Sequence, residues 1–151
     1  MHKIVEYLGI DDRSRRLAEV VWRIIDSRME QVIEGFYANT AQRNTGLGLD
    51  DATIGRLKVK QKEHWRALFH AEFDDAFFQR ASMIGLRHHE IGLSASWYIA
   101  GYSIIKLELA KMLMETPFSI GIKIQLVATL EKYVALDMAC ALSSYSAWLI
   151  D

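Results

Sequence analysis

The chain has 151 residues, 51% of them apolar and 25% charged, with 18 basic against 19 acidic side chains and a net charge of −1. That is the length and balance of one folded domain with a substantial core, and it excludes a nucleic-acid footprint and a polybasic membrane patch. One proline, where about 5% is usual, argues for long unbroken helices, and the single cysteine, Cys140, excludes an internal disulfide framework and suits a reducing compartment.

The N-terminal run Met1-His2-Lys3-Ile4-Val5-Glu6-Tyr7-Leu8 carries Glu6 among its apolar residues and lacks a small-residue cleavage site, so it is not a secretory signal. The longest uncharged stretches, such as Ile91 to Ile105, fall short of a membrane span. A cytoplasmic location is therefore expected. Asp11 and Asp12 open a first helical run through Leu17, Val20, Val21, Ile24 and Ile25. A second run carries Met29, Val32, Ile33, Phe36 and Tyr37 on one face, either beyond a boundary at Asp26 or Ser27 or as the continuation of one long bent helix. Asn44-Thr45-Gly46-Leu47-Gly48 reads as the clearest loop.

Asp50 and Asp51 cap a third predicted helix from Ala52 to His70, and Asp74-Asp75 a fourth that ends at His88-His89. A fifth runs from Ser94 to Glu115 and is stopped by Thr116-Pro117, because proline disfavours helix in the residue before it. The sixth spans Phe118 to Leu149. Ile120, Ile124, Val127, Glu131, Val134, Met138, Ala141, Tyr145 and Trp148 recur along it in steps of four and three, a heptad pattern broken only by Glu131. Ile122, Leu126, Leu130, Tyr133 and Cys140 form a second stripe, so this helix needs cover on two sides. With no strand-period run or internal repeat, the fold class is all-α.

The chain has five histidines, and His88-His89-Glu90 suggests metal ligands. A zinc-protease pattern needs two histidines four apart, which neither His88 nor His89 has. Adjacent helical residues point about 100° apart, so the two do not face one site. No Ser/His/Asp arrangement, paired cysteine or Gly-rich phosphate loop is readable, and hydrolase and nucleotide-binding readings start weak. One axial ligand needs only one histidine and an apolar pocket. Trp22, Phe36, Phe69, Phe77, Phe78 and Trp97 would serve a planar macrocycle between helices, or equally a plain helical core.

The pattern His88-x-x-Ile91-Gly92-Leu93, followed by Trp97-Tyr98, resembles the proximal-histidine motif of the globin-coupled sensors. These are bacterial haem-globin domains that control chemoreceptor, diguanylate cyclase or histidine kinase outputs. The likeness extends upstream to Arg56-Leu57-Lys58-x-x-Gln61-x-x-His64-Trp65 and Phe36-Tyr37, and downstream to Asp137-Met138 and Tyr145. It implies a globin fold with long C-terminal helices as one domain over residues 1–151, holding one haem b. It also implies a sensor rather than an enzyme, with O₂ the usual ligand beside CO or NO, and a homodimer through the last two helices.

On this resemblance His88 matches the proximal iron ligand, and His89 is expected to point elsewhere, outward. Tyr98 matches the tyrosine that can hydrogen-bond the proximal imidazole and so fix its tautomer, with Trp97 beside it. Tyr37, next to Phe36, matches the distal tyrosine whose phenol can donate to bound O₂. Leu57 and Lys60 fall at ligand-pocket positions where small polar or apolar residues are common, so Lys60 is a departure. An unpaired ammonium over a haem is unfavourable. A solvated Lys60 is expected, with a turn toward a propionate or deprotonation and iron binding as alternatives. His64 matches a pocket-edge position suited to a structural or propionate contact.

The resemblance further implies a transmitter domain C-terminal to Asp151. A truncated sensor and a stand-alone globin both fit, and the heptad running up to Trp148 favours the former. Two other readings compete: a haem globin that turns over NO or peroxide, and a haem-free helical dimerisation module.

Overall fold

The structure is a computed structural model, and it describes residues 1–41, 43 and 48–147. Among them are seven helices and no strand: α1 (His2–Tyr7), α2 (Asp12–Asp26), α3 (Met29–Ala41), α4 (Asp51–Phe69), α5 (Asp75–Glu90), α6 (Ala95–Met114) and α7 (Ile120–Ala147). The all-α expectation holds. The predicted loop residues Asn44 to Leu47, and Trp148 at the end of the heptad, lie outside the described residues.

Helix starts follow the side chains that cap them. Asp11, Asp50 and Asp74 accept from the backbone N–H groups of Ser14, Thr53 and Phe77 at 2.9, 2.7 and 2.8 Å, and Ser94 does the same for Trp97 at 3.3 Å. Each such cap contributes about 1 kcal/mol. The break between α2 and α3 falls at Ser27 and Arg28, so the two runs are separate helices rather than one bent helix. The N-terminal run, read only as a non-signal, forms a helix of its own. The run is too short to show a helical period, and its His2 reaches across to Asp75 at 2.9 Å and meets the edge of Phe78.

The core is held by stacked aromatics and aliphatics from every long helix. Trp22, Trp65 and Tyr133 each stack on Phe69, with ring centroids 6.3, 6.1 and 5.8 Å away. Ile25, Met29, Ile33, Leu109, Leu126 and Leu130 are fully enclosed, each worth about 2 kcal/mol of burial. The two apolar stripes of α7 do not behave alike along its length. In the C-terminal half Val134, Ala141, Tyr133 and Cys140 are buried, whereas Ile120 and Ile124 at the start are 64% and 60% exposed. Glu131, the exception in the heptad, reaches Lys106 of α6 at 3.1 Å.

Among the described glycines, the closest approach to a neighbouring backbone is at the crossing of α5 over α7. A Cβ built on Gly85 would lie 2.1 Å from the carbonyl oxygen of Ala141, so the two backbones touch. Flanking it, Ser144 donates to the Ser82 carbonyl at 2.6 Å and Ser82 to the Cys140 carbonyl at 3.4 Å. Gly35, on α3, has nothing within 4 Å of the same position. The two glycines make a controlled comparison in urea denaturation. Gly85→Ala is expected to cost about 3 kcal/mol despite the better helix former. Gly35→Ala is expected to be neutral or to gain about 0.5–1 kcal/mol.

Candidate functional site

His88 occupies the last turn of α5, and the way that helix stops determines where the ring sits. Gly92, at φ +85°, donates its N–H to the His89 carbonyl at 2.9 Å, and Leu93 donates to the His88 carbonyl at 3.0 Å. This pair of bonds is a Schellman stop, and its left-handed residue is glycine for the usual steric reason. The spacing His88-x-x-Ile91-Gly92-Leu93 is thus a helix terminus with a histidine fixed at its third residue from the end. His88 Nδ1 lies 2.8 Å from the Ile84 carbonyl. A carbonyl only accepts, so Nδ1 carries the proton and Nε2 keeps a free lone pair. Burial pushes the His88 pKa down, and the His64 charge adds to that against the opposing Ile84 bond and Asp137. The ring is held neutral, oriented and ready to ligate.

Tyr98, nearly fully buried, packs its ring 5.5 Å from that of His88. The expected hydrogen bond between them is not made, because Nδ1 is already engaged by Ile84. Tyr98 also touches Tyr102 and Tyr145 at ring distances of 5.7 and 6.1 Å. His89 does not face outward as expected: it is half-buried, edge-on to Tyr145 at 5.3 Å. Trp97 is 44% exposed, pointing to the surface rather than into the aromatic cluster.

On α4, His64 Nε2 lies 2.8 Å from Oδ2 of Asp137, a carboxylate only 2% exposed. The Tyr102 hydroxyl donates to the same oxygen. Burial alone would lower the His64 pKa, but the Asp137 charge and hydrogen bond outweigh it and the net shift is upward. Lys60, one turn earlier, is exposed, in line with the solvated reading, while Leu57 is half-buried. On α3, which packs on α4 and α6, Phe36 presses its ring 3.3 Å from the Cβ position of Gly101. Tyr37 lies edge-on to Phe36 at 5.1 Å, its phenol pushed up to about 12 by burial and so a donor at any ordinary pH. A cleft of about 400 Å³ between α3 and α6 opens beside Phe36.

Among the described residues the buried hydroxyl of Tyr145, beside Tyr98 and His89, has no partner, nor does the buried Oε1 of Gln61 on α4. Such groups cost about 1–3 kcal/mol each when left unpaired. A free imidazole nitrogen beside buried aromatic rings is the donor set of a cofactor held by one histidine. Sequence reasoning did not single out Asp137 and Tyr102 as a pair. The one available signal was Asp137 itself, the sole charge between Tyr133 and Cys140.

Comparison with known proteins supplies the family. The protoglobin family model matches residues 1–148. The fold is similar to the globin domain of the Geobacter sulfurreducens globin-coupled sensor, with a TM-score of 0.88 and 16% identity over 96% of this chain and 97% of that one. It is also similar to the globin domain of E. coli DosC in its ferric form, with a TM-score of 0.78 and 16% identity over 95% and 99% of the two chains. The ferrous form gives a TM-score of 0.76 and 17% identity over 93% and 98%. A search of curated proteins finds no match. The expected globin fold is therefore present.

The His64–Asp137 pair makes stability depend on pH. Because the folded pKa of His64 is raised, its contribution is complete below the unfolded value of about 6.5 and is lost as pH rises through the folded value. His64→Gln is expected to lower the Tm more at about pH 6 than at about pH 9. Thermal melts of both proteins at the two pH values check this, and an equal loss at both would uncouple His64 protonation from folding.

Proposed function

As this chain belongs to the protoglobin family, we propose that it is a haem-based sensor domain that binds O₂ reversibly. The observation that carries the reading is His88: half-buried, neutral, with Nδ1 tied to Ile84 and Nε2 left free. Non-covalent haem b suits a chain whose single cysteine cannot form the paired thioether attachment of c-type haem. Haem bound there would supply an iron with a coordination position for a diatomic gas. The chain's own residues do the rest. His88 binds and orients, and the Ile84 carbonyl keeps its ring in one tautomer. Tyr37 offers a protonated phenol to a polar ligand, with Phe36 and Leu57 as apolar wall. Gln61 and Tyr145 would find partners at the polar edges of the cofactor, and His64 stays with Asp137.

The signalling half of the reading rests on α6 and α7. Leu107, Met114, Phe118, Ile120, Ile122 and Ile124 leave an apolar strip exposed along these helices, suited to a second copy of the chain. A packed interface of this kind can switch between two arrangements and pass the ligation state to a C-terminal output domain. The Geobacter relative, the globin domain of a globin-coupled sensor, supports that role.

Three measurements test the reading. The purified protein is expected to show a strong Soret band that His88→Ala abolishes; a colourless chain that takes up no added haemin would remove it. Tyr37→Phe is expected to speed O₂ dissociation about tenfold, the value of one hydrogen bond of about 1.5 kcal/mol, as stopped-flow absorbance would report. Light scattering should give a dimer for the native chain and a monomer for the double variant Ile120→Glu/Ile124→Glu.

A further inference from the structure

Haem binding leaves the Tyr102 phenol and the Asp137 carboxylate without a task. A hydroxyl donating to a carboxylate that is 2% exposed is an unusual pairing for a residue needed only to fill space. Tyr102 also stands in the middle of a line of aromatic rings. Its centroid is 5.1 Å from Trp65 on one side and 5.7 Å from Tyr98 on the other. Tyr98 in turn is 5.5 Å from the ring of His88. Beyond Trp65 the line continues through Phe69 to Trp22. These are contact distances for stacked and tilted rings.

A buried phenol gives up an electron only if its proton leaves as well, since neither a phenol cation nor a phenolate is stable away from water. The proton needs an acceptor within hydrogen-bond reach. Among the described residues Tyr102 has one in Asp137, while the hydroxyl of Tyr145 is buried with no partner. Asp137 is held in turn by His64, whose side chain is 21% exposed and reaches solvent. Asp137 can therefore take a proton from one side while His64 releases one from the other, so the cluster keeps its charge.

We propose that Tyr102 is a redox-active tyrosine that reduces the His88-held haem through Tyr98 after a peroxide has oxidised it, its proton passing to Asp137. This rests on the haem reading above. The oxidant is hydrogen peroxide, which would take two electrons from a haem held by His88 as its O–O bond breaks and water leaves. Tyr102 returns one electron and becomes a neutral phenoxyl radical, and Oδ2 of Asp137 takes the phenolic proton. The haem is then one electron short, and the oxidising equivalent has moved off the macrocycle into the protein core.

The experiment is freeze-quench EPR of the haem-loaded full chain mixed with hydrogen peroxide, with Soret absorbance recorded in parallel. A radical signal that narrows when the protein carries ring-deuterated tyrosine is expected. Tyr102→Phe should lower its yield about tenfold and speed peroxide bleaching of the Soret band, whereas Tyr7→Phe, at a residue 90% exposed, should change neither. Asp137→Asn should also lower the yield; if that variant fails to fold, Tyr102→Phe decides alone. An undiminished tyrosyl signal in Tyr102→Phe, or a signal that narrows with deuterated tryptophan instead, overturns the proposal. A chain with no Soret band before peroxide overturns the haem reading and this proposal together. A normal Soret band followed by an unchanged radical overturns this proposal alone.

Discussion

The contact between Gly85 and the backbone of Ala141 is the constraint on which the rest of the site depends. With no Cβ in the way, α5 lies directly on α7, and the serine bonds on either side fix the register of the two helices. His88 is less than one turn beyond Gly85 on the same helix, and the carbonyl that orients it belongs to Ile84, the residue just before that glycine. Any displacement of α5 relative to α7 therefore moves the imidazole as well. The contact also couples the histidine mechanically to the C-terminal half of α7. The N-terminal half of that helix carries the exposed apolar strip that would meet a second subunit.

A second constraint is electrostatic. Asp137 is a carboxylate in a nearly dry place, and an isolated charge there would be untenable. His64 supplies the counter-charge from α4 and Tyr102 a hydrogen bond from α6, so one buried residue of α7 ties together three helices. Such a pair adds little net stability over an apolar replacement, because desolvation takes back much of the Coulomb gain. Its cost is better explained by a job to do: fixing helix register, and offering a proton acceptor beside an aromatic line that ends at His88. The upward shift at His64 and the downward shift at His88 follow from the same burial, with the sign decided by which histidine has the acid for a partner.

The local parts of this architecture were legible in the sequence. Asp11, Asp50, Asp74 and Ser94 cap the helices they precede, Thr116-Pro117 ends α6, and the motif around His88 pointed to the family, because each is a statement about neighbours a few residues apart. Contacts between distant segments were not legible. Nothing local pairs His64 with Asp137 across 73 positions, or turns His89 inward onto Tyr145 rather than outward. The heptad of α7 named the apolar residues correctly but not which would be covered, since that depends on where the other helices end. The Tyr98 role was read as a hydrogen bond because family spacing puts it beside the imidazole. The structure puts the two rings in contact and gives the imidazole proton to the carbonyl one turn back.

That last difference bears on how the histidine motif should be read. Its spacing, a histidine three residues before Ile-Gly, coincides with a Schellman stop, in which the carbonyl of the third residue from the helix end accepts from the residue after the glycine. A histidine at that position has its backbone pinned by the stop and its Nδ1 pinned by the preceding turn, leaving Nε2 as its only free function. His89, one residue on, also has its carbonyl pinned but turns its ring to Tyr145 instead. The motif is therefore a stretch of backbone that holds an imidazole neutral, in one tautomer and in one direction.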